Sequence, residues 1–160
     1  MNIAYLLIGG NLGDRSALLE QAISRIASYC GNINKTSSVY ESDAWGSSLQ
    51  PQYLNQALEL STTFDAAELL TITKSIEIEL GRVRSEQYAA RTMDIDILYF
   101  NDVIINTASL TIPHPRISER KFVLVPMNEI AKTHFDPVIK MTVKEMLDVC
   151  RDKLNVHMVL

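Results

Sequence analysis

The 160-residue chain has two cysteines, Cys30 and Cys150, far apart and without Cys-x-x-Cys or Cys/His spacing. That argues against a disulfide framework or a zinc site and leaves two ordinary reduced thiols. Positive charge is also short, with 15 Lys and Arg against 19 Asp and Glu, for a formal net charge of −4. A general nucleic-acid binder carries a basic excess to displace counterions, so that class is disfavoured. A polyanionic ligand would have to meet a local basic cluster instead. No apolar run approaches the ~20 residues that span a bilayer. Met1 to Ile8 has no basic segment of the kind that opens a signal peptide. A cytoplasmic protein with no membrane and no nucleic-acid partner is expected.

Nucleotide fingerprints are missing too. Gly9-Gly10-Asn11-Leu12-Gly13 fails G-x-G-x-x-G, and G-x-x-x-x-G-K-[ST] occurs nowhere. This turn reads as architecture, a strand-to-helix corner capped by Asp14.

What is present suits a globular chain: 47% apolar and 21% charged residues. One domain over residues 1–160 is expected, burying roughly 70% of its unfolded surface. Ile3 to Ile8 is a nearly continuous apolar run, hence a buried strand that the glycines break. Asp14 opens a helix carrying Leu18, Leu19, Ala22, Ile23 and Ile26, which Gly31-Asn32 stops. Thr36 to Tyr40 and Tyr53 to Leu60 read as the next two strands. Thr63 or Asp65 opens a second helix through Leu69, Leu70, Ile72, Ile76 and Leu80, ending at Gly81. Met93 to Phe100 is a fourth strand, with Val103-Ile104-Ile105 pairing back as a hairpin. Shorter helices follow Pro113, the last over Val143 to Val149. The order strand, helix, strand, strand, helix, strand predicts an α+β fold. It is the ferredoxin-like β-α-β-β-α-β arrangement, with helices on one sheet face, additional C-terminal helices and a second face free to carry a site.

The most informative segment is Arg91-Thr92-Met93-Asp94-Ile95-Asp96-Ile97. On a strand, residues two apart share a face with Cα atoms ~6.6 Å apart, so Asp94 and Asp96 project together, opposite Ile95 and Ile97. Two readings are open: a solvated pair on an exposed face, or a divalent-cation site that relieves their mutual repulsion. Arg82, Arg84, Arg91, Arg116, Arg120 and Lys121 lie on neighbouring loops of an otherwise acidic chain. Arginine forks suit phosphate oxygens, although Glu77, Glu79, Glu86 or Glu119 could neutralise some of them. His114, between Pro113 and Pro115, is held rigidly, which suits a fixed hydrogen bond to phosphate or ribose; a structural histidine fits as well. Trp45, Tyr53 and Asn55 could stack on a flat heterocycle and read its edge, or could be core aromatics with a strand-end amide.

Together these segments resemble the 6-hydroxymethyl-7,8-dihydropterin pyrophosphokinase family over about residues 1–135. The match runs through Gly9 to Asp14, Tyr40-Glu41-Ser42 with Trp45-Gly46, Gln50 to Asn55, Gly81 to Arg84, Arg91 to Ile97 and Pro113 to Arg116. Any one is weak; six in series are specific. The resemblance implies a monomeric enzyme that transfers the terminal diphosphate of ATP to the pterin hydroxymethyl group. It implies two Mg²⁺ ions on Asp94 and Asp96, with Arg82 and Arg91 also catalytic. Glu77, Arg84, Ile97, Thr111, His114, Arg116 and Arg120 would bind ATP. Tyr53 and Phe122 would sandwich the pterin, Asn55 would read its edge, and Ser42, Asp43 and Trp45 would add mainly backbone contacts. Loops around 9–13, 43–52 and 82–91 would close over the substrates. The chain departs from the family pattern at Tyr88, at Ala89-Ala90 and at Ser42-Asp43-Ala44, where altered rates and not lost chemistry are expected. A palm-type nucleotidyltransferase or cyclase and a non-catalytic ferredoxin-like regulatory module are the alternatives.

Overall fold

The computed structural model describes residues 1–44, 49–81 and 91–160. Strand β1 spans Asn2–Gly10. The glycines therefore continue the strand where a break was expected, because other groups crowd them: a Cβ on Gly9 would lie 2.2 Å from Asn55 Oδ1, and one on Gly10 2.3 Å from the Thr92 carbonyl oxygen. The chain turns only at 11–13, where Gly13 takes φ +78°.

Helix α1 (Arg15–Tyr29) starts as expected, with the Asp14 side chain accepting from the Ala17 amide at 3.2 Å. Where one strand was predicted over Thr36 to Tyr40, two short ones flank it: β2 (Asn32–Thr36) and β3 (Tyr40–Ser42). Between them Ser37 stitches the chain to strand β4 (Tyr53–Thr62), its hydroxyl accepting from the Ala57 amide and its carbonyl from Gln56 Nε2. Helix α2 (Ala66–Glu79) opens on an Asp65–Glu68 capping box and is followed by Gly81 at φ +92°. Strand β5 is Asp94–Phe100. The expected hairpin from Val103 to Ile105 does not pair back onto it; Ile105–Asn106 (β6) pairs with Thr111–Ile112 (β7) instead. Helices α3 (Lys121–Ala131) and α4 (Val143–Val149) follow, and an unforeseen strand β8 (Val156–Met158).

The main sheet runs β5-β1-β4-β3-β8, with β2 also on β4, and every pairing is antiparallel. On one face, Leu19, Ala22 and Ile26 of α1 and Leu69 and Ile76 of α2 pack on Leu6, Ile8, Leu58 and Ile97. The second face, expected to be free to carry a site, is free only in part. There Val123, Leu124 and Met127 of α3 and Val143 and Met146 of α4 cover Leu7, Ala57 and Tyr99. The physical reason is that Tyr5-Leu6-Leu7-Ile8 is apolar on both sides, and burial of apolar surface at ~25 cal/mol per Å² demands cover on both. Among the described residues, no helix is long and apolar enough to cross a membrane.

Candidate active site

Helices α3 and α4 cover only part of the second face, and an open cleft of about 440 Å³ occupies the rest. Its floor follows from strand register. Gly9 of β1 lies between Asn55 of β4 and Asp94 of β5; one step along, Leu7 lies between Ala57 and Asp96. Directly paired residues point their side chains the same way. The floor is therefore a row of amide, bare glycine and carboxylate beside Leu7 and the second carboxylate, with Ala57 at the covered end of that second row. Ile95 and Ile97 are buried toward α2, whereas Asp94 and Asp96 are half-buried. A one-residue slip leaves Leu98 extra between Ile97 and Tyr99. The bulge puts both Leu98 and Tyr99 against the α3 core.

The carboxylates are held by their surroundings. Arg91 Nη1 lies 3.3 Å from Asp94 Oδ1, with both side chains partly buried. Glu77, 5% exposed, accepts from the Ile95 amide at 2.7 Å, which fixes the outer edge of β5 between the two aspartates. Asn11 ties the approach to β5 to two other segments. Its amide donates to the Arg91 carbonyl, its Oδ1 accepts from the Arg91 amide, and its Nδ2 donates to the Pro51 carbonyl at 3.0 Å.

At one end of the cleft stand Tyr53, Asn55, Ser42 and Phe122. Tyr53 faces Ser42 across the β3–β4 ladder. The Arg120 guanidinium sits over the Phe122 ring at 5.6 Å. Asp43 is exposed and accepts from Gln52 Nε2 at 3.0 Å. At the other end stand Glu77, Thr111 and His114. The His114 amide donates to the Leu98 carbonyl, freed by the bulge, and its Nδ1 accepts from the Arg116 amide at 3.3 Å. Burial, then the charges of Arg120 and Arg116, push the His114 pKa down to about 4. The ring is thus neutral at pH 7, and an accepting Nδ1 leaves the proton on Nε2.

Of the residues expected to form the site, Ser42, Asp43, Tyr53, Asn55, Arg91 and Phe122 line the cleft, as do both aspartates and the nucleotide-side set Glu77, Ile97, Thr111, His114 and Arg120. Arg116 is not among the lining residues; its backbone amide serves His114. Trp45, Arg82 and Arg84, like Tyr88 and Ala89-Ala90, lie outside the described residues. The sequence reading missed Gly9 and Leu7, which form the floor, and Leu70 and Lys74, which line the wall with Glu77. The last two were findable, since 70, 74 and 77 fall on one stripe of a helix.

The donor set fits magnesium. Two carboxylates, Asp94 and Asp96, lie side by side on the cleft floor, and no cluster of three His, Cys, Asp or Glu side chains forms among the described residues. A hard ion held by one or two carboxylates completes its shell with water and phosphate oxygens.

A model of the 7,8-dihydro-6-hydroxymethylpterin-pyrophosphokinase (HPPK) family matches residues 5–132. The 2-amino-4-hydroxy-6-hydroxymethyldihydropteridine pyrophosphokinase of Bacillus subtilis is 46% identical over 132 residues, 82% of this chain and 79% of that protein. The enzyme of the same description from Aquifex aeolicus is 37% identical, covering 91% of this chain and 90% of its own. Among solved structures, an HPPK-DHPS crystal structure in complex with substrates superposes with a TM-score of 0.74 at 18% identity. That likeness concerns the fold; it covers 92% of this chain, which spans 43% of the longer protein.

Proposed function

The chain belongs to the 7,8-dihydro-6-hydroxymethylpterin-pyrophosphokinase family, and from that premise we propose how its cleft works. The reaction transfers the terminal diphosphate of ATP to 6-hydroxymethyl-7,8-dihydropterin in folate biosynthesis, releasing AMP. The pterin hydroxyl oxygen bonds to the β-phosphorus as the bridge from that phosphorus to the α-phosphate oxygen breaks, and the hydroxyl proton is released.

The observation that carries the reading is the floor row. An amide suited to a heterocycle edge and a carboxylate suited to a divalent ion are separated by one residue without a side chain. Asn55 and the aromatic pair Tyr53 and Phe122 would hold the pterin at one end, with Ser42 and Asp43 beside it. Thr111, His114, Glu77 and Ile97 would seat the nucleotide at the other, the neutral His114 donating from Nε2. Arg91, Arg116 and Arg120, with Arg82 and Arg84, would neutralise phosphate charge. Asp94 and Asp96 would hold two Mg²⁺ ions, which when bound supply charge neutralisation to the polyphosphate. Catalysis is then chiefly positioning and electrostatics. We also read the β1-α1-β2/β3-β4-α2-β5 unit as a ferredoxin-like core whose second strand is split, within one monomeric domain. The strand order and the antiparallel pairing support this.

The palm-type alternative draws carboxylates from separate strands, yet β1 contributes Leu7 and Gly9 to the floor. Incubation with ATP, Mg²⁺ and hydroxymethyl-dihydropterin should yield AMP; pyrophosphate release would point to nucleotidyl transfer, and no reaction to a regulatory module.

A further inference from the structure

The pterin-side wall stands on the segment that leaves β3 at Asp43 and re-enters the sheet at Gln52. Both of its stems meet one guanidinium. Arg15, the first residue of α1, places Nη1 2.7 Å from Glu41 Oε2 and donates from the same nitrogen to the Gln52 carbonyl at 3.0 Å. Glu41 is on β3, so one cation ties the outgoing stem to the returning one. Gln52 Nε2 adds a cross-link to Asp43 Oδ1 at 3.0 Å.

The clip has a backstop. Strand β8 pairs with β3 and sets His157 opposite Glu41, with Nε2 3.5 Å from Glu41 Oε1. Residues beyond 132, outside the family match, thus reach the pterin wall. The clip is partly shielded from water, with the Arg15 side chain 32% and the Glu41 side chain 19% exposed. Tyr40 and Ser42 alternate with Glu41 and face inward. Ser42 is 1% exposed and lines the cleft, and its buried hydroxyl has no hydrogen-bond partner among the described residues. A buried hydroxyl left unpaired is costly unless a ligand completes it. A shift of this stem therefore moves an unpaired hydroxyl at the cleft wall.

We propose that Arg15 and Glu41 are positioning residues for the pterin, tying the Glu41–Asp43 stem to Gln52, with His157 bringing the C-terminal strand into the clip. This rests on the pterin-side assignment above. A charge-assisted contact of this kind controls about a tenfold effect in binding. The test uses the full-length protein and fluorescence titration with hydroxymethyl-dihydropterin in the presence of Mg²⁺ and a non-hydrolysable ATP analogue, together with steady-state kinetics. Arg15→Ala and Glu41→Ala should each weaken pterin binding and raise its KM about tenfold, with the affinity for the ATP analogue and kcat within about twofold of wild type. Arg15→Lys and Glu41→Gln should recover part of the loss, and His157→Ala should show a smaller one. Equal losses for both substrates would mark a general structural role, and unchanged pterin binding would mark an idle surface pair; either overturns the clip. Wild-type protein that binds no pterin would overturn the pterin-side assignment instead, so the two failures are distinct.

Discussion

One face of the central sheet is built twice, to opposite ends. Toward the start of β1 the row Glu59, Tyr5 and Tyr99 packs against His134, with Tyr99 buried and the other two half-buried. The Tyr5 hydroxyl donates to Glu59 and the Tyr99 hydroxyl to Asp136, while the Tyr99 and His134 rings meet at 4.3 Å with a 59° tilt. Asp136, 2% exposed, also accepts from the Val138 and Ile139 amides. Toward the end of β1 the row Asn55, Gly9 and Asp94 lines the cleft. Both halves are polar, yet one packs its groups against buried side chains and the other lines a cleft with them. Polar character on a sheet face does not mark a site; the cleft above it does.

The sharpest way to break the contrast is at the aspartates. On the proposed metal role, Asp94→Asn or Asp96→Asn should lower turnover by on the order of 10³-fold or more while the melting temperature stays within a few degrees, because both side chains line the cleft and neither belongs to a core cluster. Unchanged turnover in both variants would sink the metal assignment. Next in size is Gly9→Ala. The new methyl would sit 2.2 Å from Asn55 Oδ1 and 2.4 Å from the Leu54 carbonyl oxygen, so the floor must move. A loss of about 10²-fold in kcat/KM is expected, with a destabilisation of ~1–3 kcal/mol readable by urea denaturation.

The packed half should answer the other way. Tyr99→Phe removes one donor from buried Asp136, so it should cost ~1–3 kcal/mol of stability with kcat/KM unchanged. A fall in activity without a fall in stability would contradict the division.

The smallest effect separates the two histidines. Burial is the leading cause that lowers the pKa of both His114 and His134. The unfolded chain, with histidines near 6.5, takes up protons first, so both contribute stability above that pH that is lost as pH falls toward the folded values. NMR titration of the ring protons should show both titrating low. An ATP analogue with Mg²⁺ should then shift His114 upward, since nearby phosphate favours the imidazolium, and leave His134 in place.

Much of this was legible in the chain. The Asp94–Ile97 alternation, the Asp14 and Asp65 caps and the Gly81 stop are local signals, and local physics decides them. The misses are non-local. Whether Gly9 and Gly10 end a strand or extend it depends on how closely Asn55 and Thr92 approach. The split of β2 from β3 depends on Ser37 meeting Ala57. Strand β8 forms because β3 offers an unpaired edge. The second helical layer did leave a trace, in an opening strand apolar on both sides, which a sheet covered on one side would not tolerate.

The extra residue at Leu98 carries a last consequence. A strand keeps its polarity by even steps, and this is the one odd step in β5. It lets two acidic positions and a packed tyrosine look the same way along seven residues, and its spare carbonyl moors His114. Removing one residue there would make catalysis and core compete for a single orientation, so the strand should accept substitutions far more readily than any change in its length.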